Sequence, residues 1–541
     1  METIRLTVKN YRCFSDQDPL CIEIGPGLTA IVGPNNSGKS AIKLLFYELR
    51  HLFSLLANPL TTSPNLGAIF TPQRSITVTY QGITDHDEIF TNDNERPITL
   101  ELELIPPKNL RSSPRNDNLV RIVATCQRSA PTSWNLDGYG HHAPTTPLRQ
   151  RVSPPPSVVD SYNFSWSNPH AMQLNCRLFV ESMAMFSDAK YYGPFRNAIN
   201  QGAADHFDLS VGSAFIGLWG NWKTAGIRHQ MRAIDAVTDD IQRLFEFERL
   251  EINASPSLNT LIVSINSRPF RLSELGSGLA QFIIVLGNAA VQRPGLILID
   301  EPETNLHPSL QIDFLLSLAQ YSAYGIIFST HSIGLARSVA DKIYSTQKGP
   351  NGTVVKPFEA TPNYLEFVGE LSFSSFKELG SDALLLVEGV NDVKAVQQLL
   401  RLVKKEHTTV ILPLGGNELA VGGREAELSE LTRLSSNIYA FVDSERENEG
   451  ASPADRRIKF AETCDEIGIK ARVSELRAIE NYFTDRAVKA ALGEQFSALG
   501  KFGALKGNPR AWRKSDNWKI ARHMQLDELA GTDLGSLLDD I

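Results

Sequence analysis

The sequence predicts an α/β protein whose two main units each rest on a parallel sheet, with a β-rich stretch inserted in the first. Three patterns carry that expectation. Apolar runs of strand length stop abruptly at glycine or acidic residues after 28–32, 296–299, 384–387 and 439–442, as buried parallel strands do. Segments with apolar residues at helical spacing follow several of them. From about 58 to 175 the texture changes to short alternating runs separated by Pro, Ser and Asn, including Pro154-Pro155-Pro156. At ~150 residues per domain, the 541 residues suggest roughly three to four structural units.

Composition narrows the function classes. An apolar share of 42% and a charged share of 21% are ordinary globular usage and exclude wholesale disorder. With 53 Lys and Arg against 61 Asp and Glu, the net charge of -8 excludes a basic nucleic-acid coat, so DNA contact requires a local basic surface. Five cysteines without a CxxC pair argue against a disulfide scaffold and a cysteine-rich zinc site. The amino terminus alternates instead of opening with a signal peptide, and no run approaches the ~18 apolar residues of a membrane span. A cytoplasmic protein with no membrane contact is the expectation.

Element by element, Ile4, Leu6 and Val8 have the period of a half-buried strand, and Leu28 to Val32 reads as a second strand ending at Gly33. Ile42, Leu45, Phe46 and Leu49 then recur at helical spacing. Between strand and helix lies Gly33-Pro34-Asn35-Asn36-Ser37-Gly38-Lys39-Ser40, a match to GxxxxGK[ST] in the context that motif requires. Its glycines let backbone amides curl around phosphates, Lys39 reaches the β and γ phosphates, and Ser40 can ligate magnesium. In the inserted stretch, 76–80, 98–104 and 119–125 read as strands. Farther on, Leu296 to Ile299 forms a strand ending in Asp300-Glu301, an aspartate suited to magnesium and a glutamate suited to activating water. Ser277-Gly278, within Leu272 to Leu279, opens a helix and offers a second anion site. Strand 326–328 leads to His331, placed to contact a γ-phosphate.

These segments resemble the ATP-binding cassette (ABC) ATPases in order and context: P-loop at 33–40, signature at 272–279, Asp300-Glu301, switch histidine at His331. The resemblance implies an ABC-type P-loop ATPase head over 1–375, binding ATP between two copies with Ser277 and Gly278 acting in trans, hence a homodimer or higher oligomer. The stretch between Ser40 and Leu272 is too short and proline-rich for the long coiled-coil arms of chromosome-maintenance members. The family's Q-loop glutamine has no clear counterpart; the nearest region, Tyr191 to Arg196, offers Arg196 instead.

A second unit, 376–541, starts with strand Leu384 to Val387 and Glu388-Gly389, then a helix from Asp392, strand 410–412 and strand 439–442 ending in Asp443-Ser444-Glu445. A strand–helix–strand unit gathers the carboxyl ends of its strands at one edge, so Glu388, Asp443 and Glu445 can converge there and share Mg²⁺ or Mn²⁺. Gly415-Gly416 would admit a ligand close to the backbone, or form a plain turn. Between 501 and 522, Lys501, Lys506, Arg510, Arg513, Lys514, Lys519 and Arg522 face one acid, Asp516, with Trp512 and Trp518 among them. That is the local basic surface the net charge requires, with indoles able to stack on bases.

The Glu-Gly and Asp-x-Glu pattern resembles a Rossmann-like TOPRIM domain, with Glu445 where the family has aspartate. An ABC-type head followed by TOPRIM is similar to the OLD (overcoming lysogenization defect) nucleases, including Gabija-type and retron-associated antiphage effectors. That resemblance implies Asp392 and Glu480 as further metal ligands and Lys519, with Lys514 as the alternative, as the lysine stabilising transition-state charge. It also implies an ATP-controlled Mg²⁺- or Mn²⁺-dependent DNA endonuclease acting on double-stranded DNA such as that of a phage, under a defence partner's control. Two other readings stay open: an ATP-driven DNA sensor, clamp or repair ATPase with a non-catalytic TOPRIM domain, and a topoisomerase, for whose tyrosine domain no residues remain.

Overall fold

The computed structural model describes residues 2–541 apart from 72, 108–109, 114, 152–154, 167–171, 194–204, 305, 359–382, 407, 415–427 and 429–436. Arg196, the Gly415-Gly416 pair and the boundary expected at 375 lie outside the described residues. The chain forms two compact units: Met1–Leu306 with Ser317–His331 and Lys342–Phe358, and His307–Leu316 with Ser332–Asp341 and Glu359–Ile541.

In the first unit, β1 (Thr3–Lys9) and β2 (Leu20–Ile24) pair antiparallel, and Ile4, Leu6 and Val8 are fully buried, as their alternation predicts. β3 (Gly27–Val32) runs into α1 (Lys39–Glu48) across the glycine motif. β4 (Ile98–Ile105) and β5 (Asn116–Cys126) coincide with two of the runs expected in the inserted stretch. They do not stand apart. β4 pairs with β1 over seven residues, from Thr3 with Ile105 to Lys9 with Thr99, so this region completes a nine-stranded sheet begun by the first strand of the chain. The predicted insertion is thus part of the first unit's core. A one-residue slip in that ladder would turn Leu100, Leu102 and Leu104 from the core to solvent, which holds the register.

The second sheet of this unit carries the motifs. Its order is β6 (Ala189–Tyr192), β7 (Leu296–Asp300), β8 (Gly325–Thr330), β3, β9 (Lys342–Gly349) and β10 (Gly352–Pro357). All neighbours are parallel except the final hairpin. β7 and β8 are buried along their whole length, which explains why both read as unbroken apolar runs. α2 (Ser277–Gln292) precedes β7.

The second unit is built on four parallel strands in the order β12 (Thr409–Pro413), β11 (Ala383–Val387), β13 (Ile438–Val442) and β14 (Lys470–Val473). α3 (Val390–Leu402) joins β11 to β12, and α4 (Asp455–Glu466) precedes β14. One apolar layer sets Leu385 and Val387 against Val393, Val396 and Leu400, and extends to Ile520, Leu534 and Leu537 near the carboxyl terminus. The other places Leu384, Leu386 and Val442 against Phe460 and Cys464. All five cysteines are free thiols. Among the described residues no helix is long and apolar enough to cross a membrane.

Candidate nucleotide site and acidic cluster

Parallel pairing of β7, β8 and β3 brings their carboxyl ends side by side: Asp300 lies opposite Ser329, and Thr330 opposite Val32. The glycine loop therefore sits beside Asp300-Glu301 and His331, although they are far apart in the sequence. Gly38 caps α1 with φ 93, a left-handed conformation, and a Cβ there would stand 2.8 Å from Thr353 Oγ1. A Cβ at Gly33 would meet the Thr346 carbonyl at 2.4 Å. Ser37 Oγ and Thr346 Oγ1 are 2.6 Å apart, tying the loop to β9. Pro34, Asn35, Asn36 and Ser40 are exposed around the helix amino terminus, where free amides and the helix dipole favour an anion.

Lys39 Nζ donates to the carbonyls of Gly33 and Pro34 at 2.7 and 2.8 Å and lies 3.4 Å from His331 Nε2. Burial lowers its pKa, opposed by the charges of Glu301, Asp300 and Glu303. His331 Nε2 is also 3.4 Å from Glu301 Oε1, so lysine, histidine and glutamate form one polar patch. Glu303 accepts from Thr330 Oγ1 at 2.6 Å and from the His331 amide at 3.2 Å, fixing the switch loop. Burial raises the Glu303 pKa.

Asp300 departs from the expectation of a free magnesium ligand. Its Oδ1 is ion-paired with Lys43 and accepts from Ser329 Oγ at 2.5 Å, while its Oδ2 accepts from the Tyr191 hydroxyl. Burial works against its charge, but Lys43, Ser329 and Tyr191 outweigh that and hold its pKa below the usual value. Ser40, exposed in the first turn of α1, fits a magnesium role, whereas the Asp300 carboxylate is already matched by the charge of a fully enclosed lysine. Lys43 and Tyr191 were not singled out for this by any sequence motif. Gln281 was missed as well: it is buried in α2 and donates to the Pro302 carbonyl at 3.2 Å. Ser277 is exposed and Gly278 half-buried at the start of α2. His307 is exposed and forms no part of the patch.

The second unit gathers its acids at the carboxyl ends of β11 and β13. Glu388 Oε1 accepts from the Asp443 amide at 2.8 Å, and Asp443 Oδ1 accepts from the Ile479 amide at 3.0 Å, beside Glu480. Asp392 reaches back from α3 to accept from the Gly389 amide at 3.1 Å. Burial and the neighbouring charge of Asp392 push the Asp443 pKa well up, with Glu388 and Glu480 adding to the push and Lys514 opposing it. Glu388 is raised too, by burial, with Arg457 opposing. Among the described residues, the buried Glu480 Oε2 has no hydrogen-bond partner.

Lys514, not Lys519, stands against these acids. Its Nζ is 3.3 Å from Asp392 Oδ1 and 3.6 Å from Asp443 Oδ2. Burial works against its charge, yet Asp392, Asp443 and Glu480 together raise its pKa. Lys519 instead pairs with Asp516 at 2.8 Å, one turn back along the same short segment. Glu445 is likewise drawn elsewhere. It pairs with Arg456 and lies 3.3 Å from Arg457 Nη2, which is itself 2.7 Å from Glu388 Oε1. Those guanidiniums lower the Glu445 pKa against the effect of burial. Trp512 and Trp518 are buried at 7% and 5% exposure, so they are core residues and not stacking platforms. Trp512 Nε1 donates to Asn517 Oδ1 at 2.8 Å. Lys501, Lys506, Arg510 and Arg513 remain exposed.

Among the described residues no three His, Cys, Asp or Glu side chains stand at the spacing of a formed metal site. In the acidic cluster, the Lys514 ammonium occupies the gap between Asp392 and Asp443. The donor chemistry of Asp392, Asp443 and Glu480 nevertheless suits a hard divalent cation, and among the described residues Glu480 Oε2 has no hydrogen-bond partner. Glu445, held by two arginines, does not fit such a role.

Residues 5–128 match the family described as an AAA domain, and residues 218–337 match the family described as an AAA domain, putative AbiEii toxin, Type IV TA system. These two stretches make up an AAA-type P-loop ATPase domain. Over 99 residues the chain is 35% identical to the oligopeptide transport ATP-binding protein AmiE of Streptococcus pneumoniae, covering 17% of this chain and 27% of that protein. Over 102 residues it is 35% identical to the xylose/arabinose import ATP-binding protein XacJ of Haloferax volcanii, with the same coverage. The chain thus spans about a quarter of these relatives' length. Solved structures that align with it include the SMC head domain from Thermotoga maritima, at 15% identity and TM-score 0.33, covering 66% of this chain and 100% of that one. An Smc head domain with an extended coiled coil from Pyrococcus furiosus aligns at 11% identity and TM-score 0.33, covering 69% and 100%.

Proposed function

We propose that this protein is an ATP-controlled, divalent-metal-dependent DNA endonuclease whose cutting site lies in a TOPRIM-like second unit of OLD type. The observation that carries the reading is the convergence of Glu388, Asp392, Asp443 and Glu480 on Lys514 at the carboxyl ends of parallel strands. Beyond the backbone amides that orient them, Asp392 and Asp443 share the single ammonium of Lys514, and among the described residues the buried Glu480 Oε2 accepts no hydrogen bond.

In this reading Asp392, Asp443 and Glu480 hold Mg²⁺ or Mn²⁺, which supplies Lewis acidity toward a phosphodiester. Asp443 is fixed through the Ile479 amide and Glu388 through the Asp443 amide, so both carboxylates are oriented before DNA arrives. Lys514 is placed to stabilise the charge that develops on the phosphate. Lys501, Lys506, Arg510 and Arg513 supply exposed positive charge along the backbone of double-stranded DNA. ATP bound at 33–40, closed by Ser277 and Gly278 of a second copy, with Glu301 and His331 at the γ-phosphate, gates access. Ser40 serves the nucleotide's magnesium. The toxin named in the description of one matched family supports a role in defence.

The test is nicking of supercoiled plasmid with Mn²⁺, with and without ATP. Asp443→Ala is expected to lose ~10³-fold in nicking rate while still binding DNA. Equal cutting by Asp443→Ala and wild type would end the nuclease assignment and favour a DNA-binding sensor.

A further inference from the structure

The buried lysine Lys43 lies outside the glycine motif yet is built into the nucleotide site. Lys39 and Lys43 are four residues apart on α1 and therefore share a helix face. Lys39 stays at the loop, whereas Lys43 is fully enclosed, with no exposed surface, and is ion-paired with Asp300 Oδ1. The same oxygen accepts from Ser329 Oγ at 2.5 Å, and Tyr191 donates to the other. A lysine is rarely enclosed completely unless its charge has a fixed partner.

Two hydroxyl donors and an ion-paired ammonium on one buried carboxylate leave it little capacity for a further ligand. A divalent ion drawn to Asp300 would also stand against a fully enclosed ammonium whose charge bulk solvent screens little. The carboxylate and the ammonium thus answer each other within the protein.

We propose that Lys43 is the resident cation of Asp300, so that nucleotide binding by this head does not use Asp300 as a magnesium ligand. Tyr191 and Ser329 act as positioning residues that hold Asp300 toward Lys43. The proposal rests on the nucleotide reading of the head and is independent of the nuclease reading of the second unit.

Its test is equilibrium binding of a fluorescent ATP analogue to the full chain in excess EDTA and in Mg²⁺. For wild type, removal of Mg²⁺ is expected to weaken binding by less than ~10-fold. Lys43→Met frees the carboxylate, and its binding is expected to weaken by ~10-fold or more when Mg²⁺ is withdrawn. A wild-type loss of ~10-fold or more would overturn the proposal, as would a folded Lys43→Met protein that responds to Mg²⁺ like wild type. If Lys43→Met fails to fold, Lys43→Met/Asp300→Asn, which removes both charges, is expected to fold and bind with the wild-type response. A larger magnesium response in that double variant would count against the proposal, since it retains no carboxylate to recruit the ion. Absence of binding by wild type in both conditions would overturn the nucleotide reading together with the proposal.

Discussion

Two strand-end aspartates, each facing a lysine, behave oppositely in the two units. Asp300 ends β7 and meets Lys43, Ser329 and Tyr191, so its charge is matched and its pKa is held down. Asp443 follows β13 and shares Lys514 with Asp392; burial first, and then the neighbouring charges of Asp392, Glu388 and Glu480, push its pKa up against the opposing lysine. The same residue type at the same place on a parallel sheet is thus a finished ion pair in one unit and part of an electron-rich cluster in the other. Burial opposes the charge of both; at Asp300 the lysine and hydroxyl donors outweigh it, whereas at Asp443 neighbouring carboxylates add to it. A matched pair is inert toward added cations, whereas surplus buried carboxylate attracts them.

Four substitutions would break or sharpen that contrast. Lys39→Ala removes the lysine of the glycine motif, and ATP hydrolysis is expected to fall ~10³-fold; normal hydrolysis would move the nucleotide site elsewhere. Arg457→Met removes a fully buried guanidinium shared by Glu388 and Glu445, and urea unfolding of the second unit is expected to show a loss of ~3–5 kcal/mol. A loss below ~1 kcal/mol would mean that Glu388 is balanced by other groups. Lys514→Ala is expected to slow plasmid nicking ~10²-fold, while Lys519→Ala, which loses only a surface pair with Asp516, stays within about threefold of wild type. The reverse ranking would return the charge-stabilising role to Lys519.

The smallest effect concerns stability. Because the folded pKa of Asp443 is raised above its unfolded value, the stability tied to its carboxyl group is present at low pH and lost as pH rises through the folded pKa. Above that range the ionised carboxylate therefore weighs against folding. Asp443→Asn, which keeps an acceptor for the Ile479 amide, is expected to raise stability by ~1 kcal/mol while abolishing nicking. A destabilised Asp443→Asn protein would show that Lys514 more than offsets the clustered acids.

Much of the architecture is legible in local pattern. The alternation of Ile4, Leu6 and Val8, the apolar runs at 296–299 and 384–387, and the glycine motif before a helical period each depend on neighbours within a few residues. The ends of those runs also indicate where the acids sit, because strands in a parallel sheet share a carboxyl edge. The region from 58 to 175 was less legible. Its runs at 98–104 and 119–125 are strands, but pairing with Thr3–Lys9 is a long-range choice that turn composition does not encode.

By itself the sequence determined the secondary structure around each motif, the glycine loop's chemistry and the strand ends that present Glu388 and Asp443, since all of these follow from spacing along one chain. Only the tertiary structure decided which cation answers which acid. Lys514 and Lys519 are five residues apart and chemically alike in the sequence, yet one reaches Asp392 and Asp443 and the other Asp516. Glu445 reads as a metal ligand until Arg456 and Arg457 fold against it, and Trp512 and Trp518 read as stacking surfaces until they are buried. Lys43 carries no motif at all, and its place beside Asp300 exists only because α1 packs next to the end of β7. Charge pairing falls off within a few ångströms, so it is set by the final packing of distant segments and not by their order in the chain.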